Sequence, residues 1–160
     1  MSGHMINKKI GIIDYGTSNI FNLVNAFEYL NVNVKIIDEP QDMSEITHLV
    51  LPGVGAFENG MNSLKNKNLV DLILDHAEKD LPFLGICLGM QMMLSESYEF
   101  GNHSGLNVIN GKIRKIPNIN NDGVRHKIPH IGWNEINISS NNHLKKSIVN
   151  NAADNQAMYF

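Results

Sequence analysis

Short, β-branched apolar runs alternate with longer stretches of helical spacing through the first half of the chain. Residues 9–14 read as a strand. Ile20, Leu23, Val24, Phe27 and Leu30 then recur at the spacing of one helix face, which predicts a helix over 19–31 with Asn31 as its stop. Residues 34–37 and 47–51 follow as strands, the latter closed by Pro52-Gly53, and 69–79 form an amphipathic helix leading to Pro82. Residues 83–86 are a fourth strand, short and almost wholly apolar, as expected where helices cover both faces of a sheet. Strands and helices in this order predict an α/β fold built from βαβ units around a mainly parallel sheet.

The pattern changes after Cys87. Residues 108–109, 112–116 and 135–138 are short apolar runs separated by Asn, Gly and Ser, and they predict antiparallel hairpins added beside the parallel sheet. Residues 117–124 are polar and turn-rich, so a mobile loop is expected there. No repeat or linker divides the chain, and 160 residues suit a single domain over 6–160, with Met1-Ser2-Gly3-His4-Met5 read as a tag remnant.

Charge and cysteine usage narrow the function classes. A formal net charge of -3 provides no basic field, so neither nucleic acid nor an anionic membrane is an expected partner. No apolar run approaches the roughly 20 residues that cross a bilayer, and the N-terminus lacks the basic-then-apolar pattern of a signal peptide. The single cysteine excludes an intrachain disulfide, and a cytoplasmic location fits.

That cysteine carries the chemistry. Gly85-Ile86-Cys87-Leu88-Gly89 follows an apolar strand and precedes an apolar helix over 90–94, which is the strand-turn-helix context of a nucleophile elbow with Cys in the serine position. Composition alone favours a buried core thiol; the flanking glycines and the strand-to-helix context reverse that reading. The N–H groups of the following helix are expected to face the sulfur and favour its thiolate. Attack on an amide carbonyl needs donors for the oxyanion that develops. One candidate is the backbone N–H of Leu88, directly after the nucleophile. The other lies in Pro52-Gly53-Val54-Gly55-Ala56-Phe57, where glycines let a strand-end loop turn its N–H groups toward a ligand, with Gly53 and Val54 as the candidates.

Four blocks occur in a fixed order: Asp14-Tyr15-Gly16 with Asn19, the Pro52 to Phe57 loop, Gly85-Ile86-Cys87-Leu88-Gly89-Met90-Gln91, and Lys127-Ile128-Pro129-His130-Ile131-Gly132-Trp133-Asn134. Together they resemble the class I glutamine amidotransferases, nearest to the glutaminase subunits of imidazole glycerol phosphate synthases, from about residue 9 to residue 160. The resemblance implies a flavodoxin-like three-layer fold. It implies that Cys87 forms a thioester with the glutamine side chain and releases ammonia, that Gln91 and Glu99 bind substrate, and that no cofactor or metal takes part. For Glu99 an exposed carboxylate on a helix end is nearly as good a reading. It further implies a (β/α)8 barrel cyclase as partner in histidine biosynthesis, with Trp133 and Asn134 near that partner, although Trp133 equally fits a core aromatic. A paralogous subunit supplying ammonia for surface-sugar amination and a non-catalytic scaffold remain as alternatives.

A cysteine amidase also needs a base to take the thiol proton and return it to ammonia. His48 and His76 fall in a strand approach and a helix, while His103, His126 and His143 fall in polar loop regions. His130 is read as structural or interfacial. In the family the histidine and its glutamate follow a strand ending like Met158-Tyr159-Phe160, so the chain as it stands is expected to lack turnover.

Overall fold

A computed structural model describes residues 8–119, 122–125, 127–135 and 156–159. His126, His143, residues 136–138 of the last expected run and the tag remnant lie outside them. Four strands form the parallel sheet: β1 (Ile10–Ile13), β2 (Val34–Ile37), β3 (His48–Leu51) and β4 (Phe83–Gly85), in the order β2-β1-β3-β4. Ile10 pairs with both Val34 and His48, and Leu51 pairs with Gly85, so the C-terminal ends of β1, β3 and β4 lie side by side. In open parallel sheets, ligands bind at that edge.

Helix α1 (Ile20–Tyr29) starts where Asn19 accepts the Asn22 N–H at 3.3 Å, and the chain leaves it through Asn31 at φ 56°. An asparagine tolerates that left-handed conformation better than a branched residue does. α1 buries none of its residues, with Phe21 and Tyr29 well exposed. Helix α3 (Val70–Glu78) falls within the expected span.

Between them lies a helix the periodicity reading left out, α2 (Phe57–Asn66), which buries Phe57, Gly60, Met61 and Leu64. Asn59, Gly60, Asn62 and Ser63 give this segment a turn-like composition. The apolar spacing 57/61/64 was the available signal. Gly60 has a packing reason, since a Cβ there would come within 2.7 Å of the Met92 sulfur. The core joins Ile13, Leu49 and Leu51 of the sheet to Phe57, Leu64, Leu69, Ile73 and Met92. Each fully buried aliphatic chain contributes roughly 1.5–3 kcal/mol before entropy is counted. β4 departs from the expectation of cover on both faces, because Leu84 is exposed.

Helix α4 is shorter and earlier than expected, Leu88–Met92, because Leu94 opens a strand, β5 (Leu94–Ser97). β5 pairs antiparallel with β6 (His103–Ser104) and parallel with β7 (Ile109–Ile113), so the second sheet is mixed, not a set of hairpins. His103 accordingly lies on a strand and not in a loop. These elements fall within a compact unit ending at Lys115, and residues 116–160 belong to a second unit. There β8 (Trp133–Glu135) pairs antiparallel with β9 (Ala157–Tyr159), and the polar stretch holds one isolated bridge, Ile119 to Arg125.

Candidate active site

Cys87 sits at the junction of β4 and α4, at the C-terminal edge of the sheet, with its side chain exposed. Its backbone is held at φ 53° and ψ -118°, a conformation costly for any residue with a Cβ. The flanking glycines make that turn possible by close approach. A Cβ on Gly85 would lie 2.5 Å from the Met90 Cα, and one on Gly89 would lie 1.7 Å from the Leu51 carbonyl oxygen. Both collisions are with backbone, so the elbow requires glycine at both positions.

The surrounding hydrogen bonds fix the elbow to the neighbouring strand. The Ile86 N–H donates to the Leu51 carbonyl at 3.0 Å, and the Gly89 N–H donates to the Ile86 carbonyl at 3.0 Å. The Leu88 N–H donates to the Gly53 carbonyl at 3.3 Å. The first two N–H groups of α4 therefore meet carbonyl oxygens and do not face the sulfur, contrary to the expectation drawn from the helix start.

The structure brings the two expected oxyanion elements together, but in a closed arrangement. The Gly53 carbonyl fills the place in front of the Leu88 N–H, while the Val54 N–H donates to the Thr17 carbonyl at 3.0 Å. Gly53 is tightly enclosed: a Cβ there would lie 2.2 Å from the Tyr15 hydroxyl and 3.0 Å from both the Gly89 nitrogen and the Leu88 Cβ. The Tyr15 hydroxyl donates to the Pro52 carbonyl at 2.8 Å. Burial pushes the Tyr15 phenol above its ordinary range, and the negative charge of a Cys87 thiolate acts in the same direction. The contact of Tyr15 with Pro52 spans 37 positions, so no local pattern in the sequence assigns Tyr15 this place.

Gln91 lies one helical turn beyond Cys87 and lines a cleft of about 470 Å³ with Tyr98, Glu99, Phe100, Arg114 and Lys115. Glu99 does not end a helix; it follows β5, half-buried, and accepts the Phe57 N–H at 2.8 Å. Helix α2 has no side-chain cap of its own at Ala56, so a carboxylate from the turn after β5 satisfies its first donor.

The histidines of the first unit have other neighbours. The His48 ring contacts the Thr47 hydroxyl at 2.9 Å, the His76 Nε2 donates to the Pro82 carbonyl at 3.1 Å, and the His103 Nδ1 lies 3.7 Å from Glu58. In the second unit, the Asn134 amide donates to the His130 ring at 2.7 Å. Trp133 is 72% exposed, which removes the core reading, and it meets the Tyr159 ring edge-on at 5.5 Å.

Residues 11–156 match the family model described as glutamine amidotransferase class-I. The chain is 45% identical over 152 residues to imidazole glycerol phosphate synthase subunit HisH 1 of Legionella pneumophila strain Paris, covering 94% of this chain and 71% of that one. It is 40% identical over 149 residues to the HisH subunit of Chlorobium chlorochromatii, covering 93% and 70%. For the HisH subunit of Syntrophotalea carbinolica the identity is 44%, over 81% of this chain and 63% of that one. A crystal structure of a glutamine amidotransferase superposes with a TM-score of 0.56 at 15% identity, covering 64% of this chain and 54% of that one, a likeness of fold alone. By the extent of the family match and the identity to these relatives, the chain belongs to the class I glutamine amidotransferase family.

Proposed function

We propose that the protein is the glutaminase subunit of an imidazole glycerol phosphate synthase, hydrolysing glutamine to glutamate and passing ammonia to a cyclase partner. The observation that carries the reading is the strained, exposed Cys87 on its glycine-flanked elbow, set against the Gly53 loop, in a chain whose relatives bear that subunit name over most of its length.

Cys87 is the nucleophile in this reading. Gln91 and Glu99 bind the amino-acid part of the substrate in the cleft beyond the elbow, and Glu99 does so while also holding the start of α2. The oxyanion donors are the N–H of Leu88 and, after a rearrangement, that of Val54. For Leu88 to meet an oxyanion the Gly53 carbonyl must leave, and rotation of the single 53–54 peptide plane would remove the carbonyl and turn the Val54 N–H inward. The general base is assigned by resemblance to the histidine and glutamate that in the family follow a strand like 157–159.

The partner is a (β/α)8 barrel cyclase in the cytoplasm, and exposed Trp133 with Asn134 belongs to the surface that meets it. Among the described residues no helix is long and apolar enough to cross a membrane. The test is glutamate release by the chain, by a version extended with the family's C-terminal segment, and by Cys87→Ala in that version, each with and without the cognate cyclase. Cys87-dependent turnover in the extended chain, stimulated by the cyclase, is expected. Turnover that survives Cys87→Ala refutes the assignment of the nucleophile.

A further inference from the structure

We propose that Tyr15 is a positioning residue for the site, its hydroxyl clamping the Pro52-Gly53-Val54 loop beside Cys87. The proposal rests on the glutaminase reading above and adds a residue to it. Tyr15 leaves β1 at the sheet edge where β3 and β4 also end, and it is 2% exposed. Its hydroxyl reaches the Pro52 carbonyl at 2.8 Å and lies against the Gly53 Cα, where only a glycine leaves room. Two residues further on, the Thr17 carbonyl accepts the Val54 N–H. The turn after β1 thus holds the loop at two points on either side of Gly53.

The consequence is mechanical. The hydroxyl fixes the peptide before Gly53, while the peptide after Gly53 is held only by Thr17 and Leu88. Opening of the hole is then confined to the 53–54 plane, with the Pro52 carbonyl as a fixed pivot. A phenol is suited to this because its proton stays in place: burial raises its pKa and outweighs the opposing effect of Thr17, so it remains a donor. Phenylalanine would keep the ring that fills the buried site and remove only the clamp.

The test compares the full-length protein with its Tyr15→Phe variant by residue-resolved amide hydrogen exchange and by steady-state glutamine hydrolysis with the cognate cyclase. Exchange of the Val54 and Leu88 amides should accelerate by about tenfold, the size expected for loss of one buried hydrogen bond, while the Ile12 and Leu49 amides keep their rates. kcat should fall by about 10- to 100-fold with KM within about twofold, since a displaced loop weakens transition-state contacts more than substrate binding. Unchanged exchange at Val54 and Leu88, or acceleration spread equally to Ile12 and Leu49, overturns the clamp. Selective loosening with unchanged kcat overturns its role in positioning the reaction. A parent protein that shows the protection but hydrolyses no glutamine refutes the proposed function, and the exchange data then still decide whether Tyr15 holds the loop.

Discussion

The Leu88 N–H and the Gly53 carbonyl are bonded to each other at 3.3 Å, so a donor expected to meet an oxyanion is satisfied by the loop that should supply the second donor. A closed hole of this kind keeps a nucleophile from hydrolysing substrate before the loop has moved. The peptides on the two sides of Gly53 have different anchors, which makes it the hinge of the proposed rearrangement.

Substitution at that hinge should separate folding from chemistry. Gly53→Ala places a methyl group against the Tyr15 hydroxyl, the Leu88 Cβ and the Gly89 nitrogen. A cost of about 1–3 kcal/mol in stability is expected, together with a larger loss of turnover than the destabilisation explains. Urea denaturation and glutamine hydrolysis on the same preparation check it. Gly55→Ala is the control, because nothing lies within 4 Å of its Cβ position and only its φ of +99° opposes the change.

Glu99 has two tasks that substitutions can divide. Glu99→Gln keeps an oxygen for the Phe57 N–H but loses the charge proposed to hold the substrate's ammonium group, so KM for glutamine should rise by about 10-fold or more with little change in the unfolding midpoint. Glu99→Ala should add a stability loss of about 0.5–2 kcal/mol, as when a helix loses its N-terminal cap. An equal KM for the parent and Glu99→Gln would remove Glu99 from the substrate site.

His76 should make stability depend on pH on the acid side of neutrality. Its pKa is lowered, first by burial and further by His48 and Lys79, while its bond to the Pro82 carbonyl acts the other way. The folded pKa lies below the unfolded value of about 6.5, so protonation favours the unfolded chain. The contribution is present above that unfolded value and is lost as pH falls through the folded pKa. Urea midpoints at neutral and mildly acidic pH should diverge for the parent and converge for His76→Leu. An identical pH slope in the two proteins contradicts the assignment.

Much of this was legible in sequence for definite reasons. The strands over 34–37 and 48–51 are β-branched or apolar runs with turn residues after them, and the structure begins and ends them within one residue of the reading. The elbow was legible because backbone contact at Gly85 and Gly89 leaves a trace in composition. Helix α2 was hidden by its asparagines and by Gly60, whose reason is Met92 on another element. Strand β5 was hidden because Leu94 continues the apolar run of α4. The same limit applies to Glu99 and Tyr15. Their partners, Phe57 and Pro52, are 42 and 37 positions away, and no local pattern records such pairs.

The elbow itself allows a prediction about strain. Cys87 holds φ 53° and ψ -118°, outside the regions open to residues with a Cβ, and such a conformation costs about 1–3 kcal/mol when the surroundings impose it. Glycine escapes that cost, whereas alanine keeps it. Cys87→Gly should therefore be more stable than Cys87→Ala, although glycine also gains freedom in the unfolded chain worth roughly 0.5–1 kcal/mol against it. The strain is the larger quantity, so the net difference should favour glycine by up to about 2 kcal/mol. The thiol is exposed, and removing it leaves little cavity to confuse the comparison. Both variants should lack Cys87-dependent glutamine hydrolysis, so any gain in stability is free of function. Urea unfolding of the parent, Cys87→Ala and Cys87→Gly measures the difference directly. A glycine variant less stable than the alanine variant would show that the strain is smaller than the roughly 0.5–1 kcal/mol glycine penalty, and the exposure of the Cys87 thiol would then owe little to a forced backbone.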